Sequence, residues 1–301
     1  MVDITHKKNS LRIATAQAIV KVGSQATIEA IYNKKVPKGD VFEMSKAAGL
    51  LGVKKTPELL PDCHPLPIEF TGIEYKIIGL EIQIKCTVKT IYKTGVEVEA
   101  MHAASVVALN MYDMLKPIDK QISIEQIKLL SKTGGKSDAP KIQISIQGAV
   151  IVCSDSISKG DGEDKAGKAL CTLLEQQGVS ISNYDVISDD KHGIQERAKT
   201  LTNAGVQLII FCGGTGVSPR DNTPDAIIPL LDKQLPGVEE AMRAYGQERT
   251  SFSMFSRSVA GLIGESLVLS LPGSTKGATE SLEAVFPNIL HVFEVNKGKK
   301  H

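Results

Sequence analysis

The sequence predicts two domains in tandem, an α+β layer followed by an open sheet of mostly parallel strands. Three observations predict it. The chain has 301 residues, and a compact domain uses roughly 100–200. Its first half holds a strictly alternating apolar/polar run, whereas its second half holds three short runs that are apolar throughout. Between the halves, Ser137-Asp138-Ala139-Pro140 strings turn and breaker residues together. The expected domains therefore span residues 1–138 and 142–298.

The elements follow in order. Residues 40–51 form the first helix candidate. Asp40 suits its N-cap, and Val41, Met44 and Ala48 are spaced for one buried face. In residues 81–89, Ile82, Ile84, Cys86 and Val88 alternate with polar residues, the pattern of a half-buried antiparallel strand. Residues 94–99 read as a strand with Glu97 and Glu99 on one face. Residues 102–115, rich in Ala, Val, Leu and Met, read as a helix that brings Asp113 and Lys116 together at i and i+3. Without a steady βαβ alternation, this half is α+β. In the second half, residues 149–153, 208–212 and 267–271 are apolar throughout, as strands buried on both faces of a parallel sheet are. Amphipathic stretches near 165–177 and 193–204 separate them. Each run ends in a loop of small polar residues: Ser154-Asp155-Ser156, Gly213-Gly214-Thr215-Gly216 and Pro272-Gly273-Ser274. Open α/β sheets bind ligands at the carboxyl ends of their strands, so these loops locate a pocket.

Composition excludes several classes. Hydrophobic residues make up 42% and charged residues 23%, which is globular. No apolar run approaches the ~20 residues of a membrane span. The opening MVDITHKKNS has no apolar core of a secretory signal, so a soluble cytoplasmic protein is expected. Net charge is +1, split as +4 over residues 1–140 and −3 over the rest. A mildly basic first half suits a small anionic ligand better than a nucleic acid. Trp is absent and aromatics are 4%, too few for single-strand stacking platforms. Five cysteines without C-x-x-C spacing argue against disulfide frameworks and thiolate zinc.

In the first half, lysines, carboxylates and one imidazole recur in four motifs: Lys38-Gly39-Asp40, Asp62-Cys63-His64, Glu97-Val98-Glu99, and Asp113 with Lys116. Lysines neutralise phosphates, and a carboxylate beside a lysine can relay protons. Taken singly, Asp113 with Lys116 is more commonly a surface helix pair, Glu97 with Glu99 a solvated strand face, and His64 a hydrogen-bonded structural histidine. Gly135-Lys136-Ser137 resembles the end of a P-loop, but Leu130 stands where that motif needs Gly.

Together, MVDI, KGDVF, LLPDCHPL, KTGVEVEAMHAASVVALNMYDMLK and LLSKTGGKS resemble the MoaC family of cyclic pyranopterin monophosphate synthases over almost all of residues 1–137. The resemblance implies a ferredoxin-like α+β fold, a hexamer, and an active site at a dimer interface. It implies conversion of (8S)-3',8-cyclo-7,8-dihydro-GTP to cyclic pyranopterin monophosphate with release of pyrophosphate, without a cofactor. By the same resemblance Asp113, Lys116 and Lys38 are catalytic. Asp62, Cys63, His64, Glu97, Val98 and Glu99 bind substrate, and Lys132 and Lys136 meet its triphosphate. Asp138 departs from the family, which commonly has Gly there.

In the second half, GGTGVSPRDNTPDAI is the densest motif. Glycines after a buried strand let backbone N–H groups approach an anion. Thr223-Pro224 reads as N-cap and N1 of the next helix, and Asp221 could hold hydrated Mg²⁺ between phosphates. With SDSISKGDGEDKAG, ISDDKHGI and SRSVAGLIGESLVLSLPGS, the motif resembles the MoaB/MogA family over residues 142–297. That implies a three-layer α/β fold, usually trimeric, which binds molybdopterin. Mg-ATP-dependent adenylylation of its phosphate is one alternative; a non-catalytic pterin-binding or oligomerisation module is the other. Asp155, Asp189, Gly213, Gly214, Thr215, Gly216, Asp221 and Ser274 match pocket positions, with Asp189 and Asp221 at the acidic pair tied to Mg²⁺.

Overall fold

The computed structural model describes residues 1–135, 145–296 and 298. The chain divides into two compact units, Met1–Asp138 and Ala139–His301. Lys136 and the 137–140 breaker cluster lie outside the described residues.

The first unit is built on a four-stranded antiparallel sheet. Its strands are β1 (Ser10–Lys21), β2 (Phe70–Ile78), β3 (Glu81–Tyr92) and β4 (Ser123–Thr133). Between β1 and β2 lie α1 (Gln25–Tyr32), α2 (Val41–Lys54) and the short α3 (Thr56–Leu59); α4 (Glu97–Leu115) joins β3 to β4. The order β2-β3-β1-β4 is the split βαβ arrangement of a ferredoxin-like fold. Ile82, Ile84, Cys86 and Val88 on β3 are fully buried, together with Ala14, Ala16, Ala18 and Val20 on β1. Helix α4 lays Ala100, Ala103, Ala104, Val107 and Met111 into the same core.

Two sequence expectations fail here. Glu97 and Glu99 lie on the first turn of α4, not on a strand. The run of helix formers extends back to Glu97, and at 100° per residue an i, i+2 pair faces different sides. Met44 of α2 is exposed, and the buried stripe is Val41, Ser45, Gly49, Gly52 and Val53. The small residues decide it. A Cβ on Gly49 would stand 2.5 Å from Val107 Cγ2, and one on Gly52 2.9 Å from Val106 Cγ2. The backbone of α2 therefore packs directly on α4. Asp40 caps α2 as expected, accepting from the N–H of Phe42 (3.1 Å) and Glu43 (3.2 Å).

The second unit has a six-stranded mixed sheet in three layers. Its strands are β5 (Ile146–Cys153), β6 (Val179–Ile187), β7 (Leu208–Cys212), β8 (Lys233–Gln234), β9 (Ala260–Ile263) and β10 (Ser266–Leu271). The order is β6-β5-β7-β10-β9-β8, parallel from β6 to β10 and antiparallel at β9 and β8. The helices are α5 (Asp155–Ser158), α6 (Ala166–Gln176), α7 (Lys191–Asn203), α8 (Thr223–Ile227), α9 (Pro236–Gln247), α10 (Thr275–Val285) and α11 (Val292–Asn296). One face buries Ile146, Val150, Ile210 and Leu269 in a core shared with residues of α6, α9 and α10. The other buries Ile151, Ile209, Phe211 and Val268 with Ile194, Ala198 and Leu201 of α7 and Ala226 and Ile227 of α8. Strand order reverses between β5 and β7, the switch point at which such sheets open a crevice.

Candidate functional sites

In the first unit the predicted residues form two separate groups. Lys38, in the turn before α2, places Nζ 2.6 Å from Asp113 Oδ2. Lys116, at the C-cap of α4, places Nζ 2.7 Å from Asp113 Oδ1. The two ammonium groups hold the Asp113 carboxyl at about 2, Lys116 contributing first, and Asp113 in turn raises Lys116. All three side chains stay 40–49% exposed, so the cluster is open to a ligand.

The second group surrounds a cavity of about 610 Å³ at the other end of α4, lined among others by Asp62, Cys63, His64, Glu97, Val98 and Glu99. Glu99 is 1% exposed, accepts from Cys63 Sγ at 3.1 Å, and has no partner for Oε2 among the described residues. Burial raises its carboxyl above the ordinary range. Burial, then Glu99, pushes the Cys63 thiol up to about 12, so it stays protonated. Glu97, in the same wall, pairs with Lys132 at 2.9 Å. The opening segment forms one wall: His64 Nε2 lies 2.7 Å from the Val2 carbonyl, and the Met1 amine 3.0 Å from Asp62. Asp113 and Glu99 are 14 residues apart on one helix, about 21 Å at 1.5 Å per residue. One subunit does not bring the two groups together.

In the second unit the three loops predicted at the strand ends do converge. Gly213 and Gly214 take positive φ, +114° and +61°. A Cβ on Gly213 would stand 2.2 Å from the Cys153 carbonyl, so the end of β7 lies directly on the end of β5. Asp155 and Asp189 are fastened to one another: each backbone N–H donates to the other's carboxylate at 3.2 Å. Asp189 Oδ1 is buried with no partner among the described residues. Burial, and then the charges of Asp155 and Asp221, raise its carboxyl. Asp221 accepts from the Ser218 N–H at 2.7 Å. A cavity of about 530 Å³ opens beside this loop, with Gly214, Thr215, Gly216, Asp221 and Ser274 in its wall. Asp155, Asp189 and Gly213 do not line the cavity themselves; Asp189 Oδ1 would stand 3.1 Å from a Cβ on Gly214.

The expected cap at Thr223 shifts by one residue. Asn222 is the N-cap and Pro224 the second helical position, because the Asn222 amide is drawn to the Asp189 carbonyl (3.1 Å). With only five residues, α8 contributes little dipole. Sequence reasoning also passed over residues 251–258. They bring Phe252, Phe255, Ser256 and Ser258 into the cavity, and Arg257 onto the back of the glycine loop. The only signal was the SRSV segment, which carries no catalytic pattern by itself.

Mg²⁺ prefers a few carboxylate oxygens plus phosphate and water over an all-protein cage. Among the described residues no three His, Cys, Asp or Glu form such a cage. Asp189, whose orphaned oxygen lies beside Gly214, and Asp221, whose carboxylate lies beside Gly216, are carboxylates that fit a hydrated ion of that kind.

Each of the two folds carries a candidate small-molecule site. Residues 1–135 match the MoaC family, and residues 149–291 match the family described as "Probable molybdopterin binding domain". A "Molybdenum cofactor biosynthesis bifunctional protein" of Chlorobaculum tepidum is 38% identical, aligned over 100% of this chain and 96% of that protein. The chain belongs to this family of bifunctional molybdenum cofactor biosynthesis proteins. The cyclic pyranopterin monophosphate synthase of Corynebacterium glutamicum strain R is 41% identical over 48% of this chain and 91% of its own. The crystal structure of the molybdopterin biosynthesis enzyme MoaB from Thermus thermophilus is 37% identical, covers 51% of this chain and 98% of that one, and superposes with a TM-score of 0.49.

Proposed function

We propose that the first unit is a cyclic pyranopterin monophosphate synthase and the second a molybdopterin-binding domain. The observation that carries the first reading is the Asp113 carboxylate gripped by Lys38 and Lys116. Two ammonium groups on an open surface can leave Asp113 for the phosphates of a GTP-derived substrate. The freed carboxylate then accepts a proton during ring opening, and Lys116 supplies one during closure. Glu99, its carboxyl raised by burial and its Oε2 without a partner among the described residues, and Cys63 beside it offer polar contacts to the heterocycle in the other cavity. Lys132 and Lys136 are further cations for the triphosphate. No cofactor is assigned to this step.

Because the two groups lie about 21 Å apart along α4, the complete site joins Asp113 of one copy to the Glu99 cavity of another. Val98, Leu109 and Tyr112 give α4 exposed apolar residues suited to that contact. The assembly we propose is a homo-oligomer, a hexamer. Light scattering that finds a stable monomer would refute it.

In the second unit the glycine loop and Ser274 hold the phosphate of molybdopterin. Asp189 and Asp221 would hold Mg²⁺, which would neutralise a triphosphate beside two carboxylates. Adenylylation with ATP is the fuller reading of this site, and binding alone is the simpler one. Both readings place the protein in the cytoplasm with small-molecule substrates, away from nucleic acids. Assaying the full chain with the cyclic dihydro-GTP substrate, and then with molybdopterin and Mg-ATP, tests both units. Absence of pyranopterin overturns the first reading. Binding without an adenylylated product leaves the second unit a binding module.

A further inference from the structure

We infer that Arg257, which does not line the cavity, is a positioning residue that sets the glycine loop for anion binding. The inference rests on reading the second unit as a molybdopterin site.

One residue takes three carbonyls of one loop. The Arg257 N–H donates to Thr215 O at 2.8 Å, and Nε donates to Gly216 O at 2.8 Å. Nη2 donates to Asp221 O, while Nη1 pairs with Asp225 at 2.9 Å. In a planar trans peptide the C=O and the following N–H point in opposite directions. Drawing those carbonyls toward Arg257 therefore turns the N–H groups of Gly216, Val217 and Asn222 away from it. Among the described residues, the N–H groups of Gly214, Thr215, Gly216 and Val217 have no acceptor. Four successive free donors, three of them (Gly214, Thr215 and Gly216) in the cavity wall, form a concave nest for an anion. The same guanidinium fixes the backbone of Asp221, whose carboxylate a Cβ on Gly216 would meet at 2.8 Å.

A lysine cannot reproduce this. Its ammonium is a point charge, whereas the planar fork reaches Gly216, Asp221 and Asp225 at once. The guanidinium charge also lies behind the loop, where it favours an anion without contacting it.

The test titrates molybdopterin into the full chain, its Arg257→Ala, Arg257→Lys and Asp225→Asn variants. Arg257→Ala is expected to weaken binding about tenfold or more, the scale seen when a residue supporting a ligand from behind is lost. Arg257→Lys stays weak, millimolar guanidinium chloride restores the Ala variant, and Asp225→Asn stays within about twofold, since a half-exposed ion pair contributes little. Deuterium uptake accelerates in residues 213–222 of Arg257→Ala and not in β10. Unchanged affinity in Arg257→Ala overturns the inference, as does loosening spread through the whole sheet. So does an Asp225→Asn loss equal to that of Arg257→Ala, or failure of guanidinium to rescue. If the parent itself does not bind molybdopterin, the reading of the site falls and the inference with it.

Discussion

Lys38 Nζ lies 2.6 Å from Asp113 Oδ2, tying the turn before α2 to the last turn of α4 across 75 residues of sequence. The contact bears on the charge state of Asp113. The Asp113 carboxyl is held at about 2, first by Lys116 and then by Lys38. A depressed carboxyl contributes its interaction above the ordinary carboxylate range and loses it only as pH falls toward 2. Asp113 therefore stays ionised over all working pH values. The pH dependence of kcat/KM for pyranopterin formation, which reports the free enzyme, should show no acidic limb near pH 4 from this residue. Asp113→Asn should cost about 10²-fold or more in rate. Its thermal midpoint should stay near the parent's, because the pair is exposed.

Glu99 behaves in the opposite sense. Its folded-state carboxyl is raised, first by burial. The folded protein then binds more protons than the unfolded chain between the ordinary value and the raised one, so stability falls as pH rises through that window. Glu99→Gln removes the titration. Urea unfolding from pH 4 to pH 7 should show a smaller loss of stability in the variant than in the parent. Equal slopes would mean that Glu99 is ionised at an ordinary pH.

Glycine tolerance should differ sharply between two positions. Gly213 has φ +114° and a Cys153 carbonyl 2.2 Å from any added Cβ. Gly213→Ala should destabilise by more than about 1 kcal/mol. Gly237, in the first turn of α9, has nothing within 4 Å of an added Cβ. Gly237→Ala should be neutral or stabilising by up to about 1 kcal/mol. Thermal denaturation of the two variants side by side measures the contrast.

Asp119 anchors the turn after β1. It is 8% exposed and accepts from Gly23 N–H (2.7 Å), Thr27 Oγ1 (2.8 Å) and Gln121 N–H (2.9 Å). Asp119→Ala would leave the Gly23 and Gln121 N–H groups unpaired, at a cost of about 1–3 kcal/mol. Chemical denaturation should show it, and a null effect would mean that water replaces the carboxylate.

The sequence alone determined β3, β5, β7 and β10, because burial writes its period directly into residue type. Ile82 to Val88 could only be half-buried, and the continuous apolar runs of β5, β7 and β10 could only lie between two layers. It also determined the residue types of both sites, since phosphate chemistry needs lysines, carboxylates and glycine loops whatever the fold. Tertiary structure decided the rest. Whether Glu97 and Glu99 share a face depended on where α4 begins, and local propensity does not fix helix ends. Which face of α2 is buried depended on the closeness of α4, which favours Gly49 and Gly52 over Met44. The role of Arg257 appears only once β9 and β7 are neighbours of β10, because its partners lie 32 to 42 residues earlier in the chain. Periodicity reports how one segment meets its surroundings; contacts between distant segments are set by the shape of the whole core.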